Sequence, residues 1–211
     1  MNKPDIVMDS FGCYTGTLTD KNGGAGWTNA WSGTYGAVAV VSNSLPVALS
    51  YPAAYDNMVK LTLGDGGNWS GISREFTNVH DGAFYVSFVL NMGANDQQCS
   101  AQMILMEEGV EKIGVGVHGS SLLSIQRKQV EDATNSAYTI NTGYGNDYTI
   151  IAKYDFSNDT MKVWAYYTNA VIPGYEPATC EAEYTFEEQY ITNINQIKLS
   201  AGSWAGTGPG D

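Results

Sequence analysis

Acidic side chains crowd two short stretches of this chain, Glu107, Glu108 and Glu111 in one, and Glu181, Glu183, Glu187 and Glu188 in the other. Two carboxylates about 5.5 Å apart could act as acid and nucleophile on a glycosidic bond. On a strand that geometry needs positions i and i+2 or i and i+4, which share a face. The first group flanks Gly109 in what reads as a hairpin turn, and the second has the pattern of a solvated strand or helical turn. Both therefore read as solvated surface. Ser73-Arg74-Glu75 sets a base and an acid side by side. The two histidines, His80 beside Asp81 in a turn and His118 at a strand end, lack a second ligand at zinc spacing. Neither a Gly-x-Ser-x-Gly elbow nor a phosphate-cradling loop is present. No residue is assigned a catalytic role.

Oxygen-rich loops fit Ca2+ better than zinc. Asp65 and Asn68, in Gly64-Asp65-Gly66-Gly67-Asn68, are the best-placed ligands, with Asn95-Asp96-Gln97 and Asn158-Asp159 as further loops. None has the spacing of a strong calcium loop, and Gly, Asn and Asp equally serve turn geometry. The expectation is a chain without a cofactor, with Ca2+ as the alternative. Three aromatic rings sit in polar loop sequence: Trp69 in Gly66-Gly67-Asn68-Trp69-Ser70, Tyr144 in Gly143-Tyr144-Gly145-Asn146, and Tyr175 in Pro173-Gly174-Tyr175-Glu176. Rings presented this way can stack on a sugar beside Asn, Asp or Gln that bind its hydroxyls; the alternative is that they cover the ends of the fold. Trp27, Trp31 and Trp164 read as packing residues. The three cysteines, Cys13, Cys99 and Cys180, allow one disulfide and one leftover thiol. Cys99 with Cys180 is the favoured pair, both being in polar segments between strands, and three free thiols are the alternative.

These side chains must be positioned by strands. Runs rich in Val, Ile, Tyr, Thr and Phe recur between Gly, Asn, Asp and Ser: Gly36–Val41, Met58–Leu63, Gly71–Phe76, Ala83–Leu90, Ala101–Met106, Lys112–Gly119, Leu122–Arg127, Tyr148–Tyr154, Met161–Tyr167 and Gln196–Ser200. Ile6–Asp9 reads as an opening strand, and Ser157-Asn158-Asp159 as the turn of a hairpin. About ten strands without helices indicate a sandwich or barrel. The stretch from Glu181 to Tyr190 is ambiguous between strand and helical turn. With 211 residues and 43% hydrophobic content there is material for one large core. Only 15% of residues are charged, while 24 are Gly and 14 are Tyr, a composition typical of secreted β proteins. A net charge of −12 with basic residues scattered along the chain disfavours a nucleic-acid or anionic-membrane binder held by clustered Lys and Arg. No apolar run reaches the length of a membrane-spanning helix. Met1-Asn2-Lys3-Pro4-Asp5 lacks the layout of a signal peptide, so either a leader has been removed or the protein reaches its destination by another route, as a virion component would.

Several segments carry a resemblance in their order and spacing. Asp9-Ser10-Phe11, Tyr14-Thr15-Gly16, Asn22-Gly23-Gly24 with Trp27 and Trp31, Gly71-Ile72-Ser73-Arg74-Glu75-Phe76, Ile151-Ala152-Lys153-Tyr154-Asp155-Phe156 and Asn195-Gln196-Ile197-Lys198-Leu199 together resemble concanavalin-A-like (laminin-G-like) jelly-roll domains of bacterial extracellular proteins. The resemblance implies an all-β, two-sheet antiparallel jelly-roll sandwich over residues 1–211. Its glucanases carry Glu-x-Asp-x-x-Glu on a strand, and its lyases pair a basic strand with Gln-x-His; neither motif is present. Such domains usually close with a further strand after the Gly-rich stretch, whereas this chain ends at Gly206-Thr207-Gly208-Pro209-Gly210-Asp211. Without that strand Ile6, Val7, Met8 and Phe11 would form an exposed edge, explained by truncation, by a naturally shortened domain, or by a strand supplied by a neighbouring subunit. The leading expectation is a non-catalytic extracellular or cell-surface module that binds a glycan. A self-associating subunit of a filament, surface layer or virion surface comes second, and a glycan-active hydrolase or lyase third.

Overall fold

The computed structural model describes residues 9, 11, 14, 16–42, 57–62, 69–91, 99–118, 122–128, 137–141, 146–167, 170–187 and 189–203. Among them the regular elements are strands: β1 (Gly16–Thr17), β2 (Ser32–Tyr35), β3 (Ala37–Ser42), β4 (Asn57–Thr62), β5 (Ser70–Val79), β6 (Ala83–Asn91), β7 (Cys99–Glu107), β8 (Val110–His118), β9 (Leu122–Arg127), β10 (Ala137–Asn141), β11 (Asp147–Asp155), β12 (Thr160–Tyr167), β13 (Ala182–Thr185) and β14 (Ile194–Ser203). They form a seven-stranded sheet in the order β10-β9-β8-β7-β14-β5-β2, a four-stranded sheet β13-β12-β11-β6, and a three-stranded sheet β1-β3-β4. Every described ladder is antiparallel. The all-β antiparallel jelly-roll sandwich that the resemblance implies is the fold, with a third, three-stranded sheet in addition to the two expected.

Period-two alternation decides which side chains meet inside. Tyr148, Ile150, Ala152 and Tyr154 of β11 face the core with Met161 and Val163 of β12, against Met103, Leu105, Ile113, Val115, Leu123 and Ile125 of the large sheet. Val38 and Val40 of β3 join the same core. Each fully buried Leu or Ile contributes about 1.5–3 kcal/mol. The Phe76 and Phe84 rings stack at 5.6 Å between centroids and tie β5 to β6. The β7–β8 hairpin turns at Glu108-Gly109, where φ is 48° and 80°. That two-residue left-handed turn matches the strand twist, and Gly109 supplies the position at least cost. Within the ambiguous stretch Ala182–Thr185 is a strand: β13 pairs with β12, with Ala182 inward and Glu183 opposite Lys162.

The last described strand, β14, lies between β7 and β5, in the interior of the large sheet. Of the expected edge residues, Ile6, Val7 and Met8 lie outside the described residues. Phe11 does not form an edge. Its φ is 57°, and its ring packs against Trp31 at 5.9 Å and Tyr14 at 6.2 Å. An aromatic held in the left-handed region by its neighbours cannot present a ladder to a partner strand.

Beside Phe11, a buried ion pair organises the N-terminal segment. Arg74 of β5 and Asp9 meet at 2.6 Å with side chains 1% and 3% exposed. Asp9 Oδ2 also accepts from Tyr14 Oη at 3.0 Å and Trp31 Nε1 at 2.9 Å, while Oδ1 accepts from the Phe11 amide at 3.0 Å. The guanidinium donates from Nε to the Asn29 carbonyl at 2.8 Å and from Nη2 to Asn22 Oδ1 at 2.7 Å, and it lies 4.8 Å from the Trp27 ring centroid. Removing one partner of such a pair strands the other charge in a dry site. Asp9→Asn is expected to lower the unfolding free energy by about 3–5 kcal/mol in a denaturant titration; a loss within the range of an exposed ion pair would show that the pair does not organise this end.

Candidate functional site

Alternation along β6, β11 and β12 leaves a second set of side chains on the outer face of the four-stranded sheet. Tyr85 lies opposite Lys153, Lys153 opposite Lys162, and Ile151 opposite Trp164. The segment that follows β12 folds back over this face. Trp164 is 4% exposed although it points away from the core. Its Nε1 donates to the Thr179 carbonyl at 2.8 Å, and the Glu181 amide donates to the Val163 carbonyl at 2.8 Å. A large ring at an outward position needs such a cover, and its indole N–H needs an acceptor once buried.

The cover carries Tyr175-Glu176. Glu176 Oε2 accepts from Tyr85 Oη at 2.9 Å and from Lys153 Nζ at 2.8 Å, joining loop, β6 and β11. Lys153 Nζ also lies 5.7 Å from the centroid of the Tyr85 ring. The Lys153 hydrogen bond, with that of Tyr85, holds the Glu176 carboxyl below the usual carboxylate range. The same Glu176 bond raises the Lys153 ammonium. Burial, followed by the bond to Glu176, raises the Tyr85 hydroxyl. The group is thus a carboxylate, an ammonium and a neutral phenol in one constellation. Beside it the Tyr175 side chain is 77% exposed and Tyr85 is 53% exposed. Among the described residues the large apolar side chains with such exposure are Tyr85, Val110, Tyr167, Val171 and Tyr175, and all but Val110 belong to this sheet and its covering segment. A sugar ring could stack on Tyr175 while its hydroxyls meet an acceptor on Glu176 and a donor on Lys153.

The residues singled out by sequence do not all converge here. Trp69 belongs to the opposite face of the sandwich: its indole lies directly over Gly202 of β14, where a side chain at that glycine would collide with it. Tyr144, Asp65 and Asn68 lie outside the described residues. In the third calcium loop, Asp159 Oδ1 accepts from Tyr154 Oη at 2.6 Å and Oδ2 from the Gln189 amide at 2.9 Å, so its carboxylate closes the β11–β12 turn. Among the described residues no cluster of three or more His, Cys, Asp or Glu has the arrangement of a metal site. The expected Cys99–Cys180 disulfide is corrected: Cys180 is a free thiol. Its Sγ approaches Glu183 Oε2 at 3.8 Å beside the edge strand β13, whereas Cys99 opens β7 in the other sheet. Burial, then the negative charge of Glu183, raises the Cys180 thiol pKa.

The carboxylates of the first acidic stretch are engaged individually. Glu107 Oε1 accepts from the Thr192 amide at 3.0 Å, the Thr192 hydroxyl, the Asn193 amide at 3.1 Å and Asn193 Nδ2 at 3.2 Å, while Oε2 faces Lys112 Nζ at 2.9 Å. Glu108 Oε1 accepts from Asn195 Nδ2 at 2.8 Å, and Glu111 pairs with Lys198. Arg74, from Ser73-Arg74-Glu75, is committed to Asp9. Sequence reading missed Tyr85, Lys153 and Glu176. The alternation Phe84-Tyr85-Val86-Ser87-Phe88 could have placed Tyr85 on the polar side of β6, whereas the bond from Tyr85 to Glu176 spans 91 positions and left no local trace.

No family model matches the chain, and no curated protein matches it. Three solved structures are similar at low identity. A carbohydrate esterase from the Shiga toxin-encoding bacteriophage phi24B aligns at a TM-score of 0.48 and 12% identity, over 90% of this chain and 98% of that one. A legume lectin-like domain from Entamoeba histolytica aligns at 0.47 and 13% identity, over 79% and 81% of the two chains. A sialidase aligns at 0.46 and 15% identity over 63% of this chain, which spans only 10% of the sialidase.

Glu107 gives this end of the molecule a pH signature. Burial alone would raise its carboxyl, but the Thr192 hydroxyl, Lys112 and the Thr192 amide outweigh it and hold the pKa below the ordinary value. A carboxyl depressed on folding stabilises the protein above its unfolded pKa, and that contribution is lost as pH falls through the folded pKa. Glu107→Gln should therefore cost about 1–3 kcal/mol at neutral pH, and the gap between variant and parent should close below pH about 4 in urea titrations. A gap independent of pH would refute the assignment.

Proposed function

We propose that this protein is a non-catalytic glycan-binding module of the extracellular space or of a cell or virion surface, and that its contact surface is the outer face of the four-stranded sheet around Tyr175, Glu176, Tyr85 and Lys153. The observation that carries this reading is the Tyr175 ring, 77% exposed, joined in sequence to a carboxylate already fixed by Tyr85 and Lys153. A large exposed ring costs solvation unless a ligand covers it, and fixing Glu176 beforehand lowers the entropy lost when a hydroxyl binds there. The commitment of Glu107, Glu108 and Glu111 to neighbouring donors supports a binding role over acid/base catalysis.

A glycan array followed by calorimetry on the best binder tests this. Tyr175→Ala is expected to weaken binding about tenfold, the equivalent of about 1.4 kcal/mol, with the melting temperature unchanged. Lys153→Met should weaken it further by releasing Glu176, and should raise the Glu176 pKa in a carboxyl NMR titration. Absence of binding across neutral and acidic glycans, or binding indifferent to Tyr175→Ala, would overturn the proposal.

A further inference from the structure

The outer face of the seven-stranded sheet holds an arrangement that the glycan reading does not use. Continuous register across β5, β14, β7, β8 and β9 sets Gly71, Ser200, Gln102, Gly116 and Ser124 in one row. Ser73, Lys198, Ile104, Gly114 and Gln126 form the next. Gln102 and Gln126 are 4% and 5% exposed. Lys128, just beyond β9, bends over Gly114. A Cβ on that glycine would stand 2.7 Å from Lys128 Cε and from Gln102 Oε1, so the missing side chain is the space the lysine occupies.

The hydrogen bonds fix both amides. Lys128 Nζ donates to Gln102 Oε1 at 2.6 Å and to Gln126 Oε1 at 3.1 Å, and Gln102 Nε2 donates to Gln126 Oε1 at 2.7 Å. An ammonium can only donate, so each amide must turn its oxygen toward it. Flipping either glutamine would set donor against donor. Among the described residues this leaves Gln126 Nε2 buried without a partner. On Gln126 and Lys128 two amide protons and one ammonium proton then remain, and every one is a donor, as is the second amide proton of Gln102. An unpaired buried donor costs about 1–3 kcal/mol, and here the imbalance has one sign. The lysine itself lacks a carboxylate: among the described residues its contacts are amide oxygens. Of the charged groups facing it, Glu111 of β8 favours the ammonium and Lys198 of β14 opposes it.

We infer that Gln126 and Lys128 form an oxyanion-binding site on the outer face of the seven-stranded sheet, taking a carboxylate or sulfate group of a ligand. An oxyanion offers acceptors alone, which is what three unspent donors require. The site stands independently of the glycan surface on the other sheet. Burial first, then the charge of Lys198, brings the Lys128 ammonium down to about 8, and a bound anion would raise it.

Titration of the full chain with sodium sulfate, with sodium glucuronate and with sodium chloride, followed by side-chain amide NMR, tests the inference. The Gln126 Nε2 resonances should move and saturate with sulfate or glucuronate but not with chloride at equal ionic strength. The response of each arm tells which oxyanion is preferred. Affinity should fall as pH rises through about 8, and binding at that pH should take up protons, read from calorimetry in buffers of different ionisation enthalpy. Lys128→Met should weaken binding at least about tenfold while leaving any glycan affinity that depends on Tyr175 intact. Should that variant fail to fold, the titration of the parent still decides. Resonances indifferent to both oxyanions, or a response equal to that of chloride, would overturn the site.

Discussion

The buried pair of Arg74 and Asp9 is the constraint that ties Phe11, Tyr14, Asn22, Asn29 and Trp31 to β5. A dry ion pair adds little net stability compared with apolar residues of the same volume, because desolvation consumes most of the Coulomb gain. Its effect is geometric. Asp9 takes donors from Phe11, Tyr14, Trp31 and Arg74, and the guanidinium in turn holds Asn22 and the Asn29 carbonyl. Moving Asp9 away from Arg74 would leave a charge unpaired in the core. The N-terminal residues that carried the jelly-roll resemblance, Asp9, Phe11, Tyr14, Asn22, Trp27 and Trp31, gather with Arg74 in this one cluster. They report on the fold, which is why they say nothing of a ligand. Arg74, 1% exposed, is committed to Asp9, Tyr14, Asn22 and Asn29.

What was legible in the sequence follows from how strands are specified. Where one face is buried, alternation marks strand and register together; β9, β11 and β12 were read within a residue of their bounds, as was the Asn158-Asp159 turn. The strands that escaped, β1, β2, β10 and β13, are short and lie at sheet edges or in the small sheet. There Ser32-Gly33-Thr34-Tyr35 holds a single large apolar side chain, and Ala182-Glu183-Tyr184-Thr185 alternates over only four residues, too few to stand out in sequence. Trp164 shows the limit in another way. Burial was anticipated, but the cause is the segment laid over the outer face, held at Thr179, and alternation cannot encode a cover supplied by a distant loop. Tyr175 was legible as a ring in polar loop sequence, whereas its partners Tyr85 and Lys153 come from two strands that only the sheet brings together.

The cations show how an acidic chain uses its few positive charges. Scattered in sequence, they are ordered in space: Arg74 faces Asp9, Lys112 faces Glu107, Lys153 faces Glu176 and Lys198 faces Glu111. Each pairing lets a positive group sit at a half-buried or buried position while the net charge stays at −12. Such pairs also fix long side chains, so the carboxylates they hold are poor acids and bases but well-placed acceptors.

Lys128 departs from this pattern. It is drawn into the sheet face by the space over Gly114, yet it meets two glutamine oxygens where its counterparts meet a carboxylate. Neutral oxygens repay only part of the cost of desolvating an ammonium, and its depressed pKa expresses the remainder. Glutamate at position 102 or 126 would complete the usual pair with no change of shape. Glutamine there keeps the geometry and withholds the charge, so the site remains one negative group short. A cation held in place without its anion is stable only at a cost, and a ligand that supplies the missing charge recovers it as binding energy.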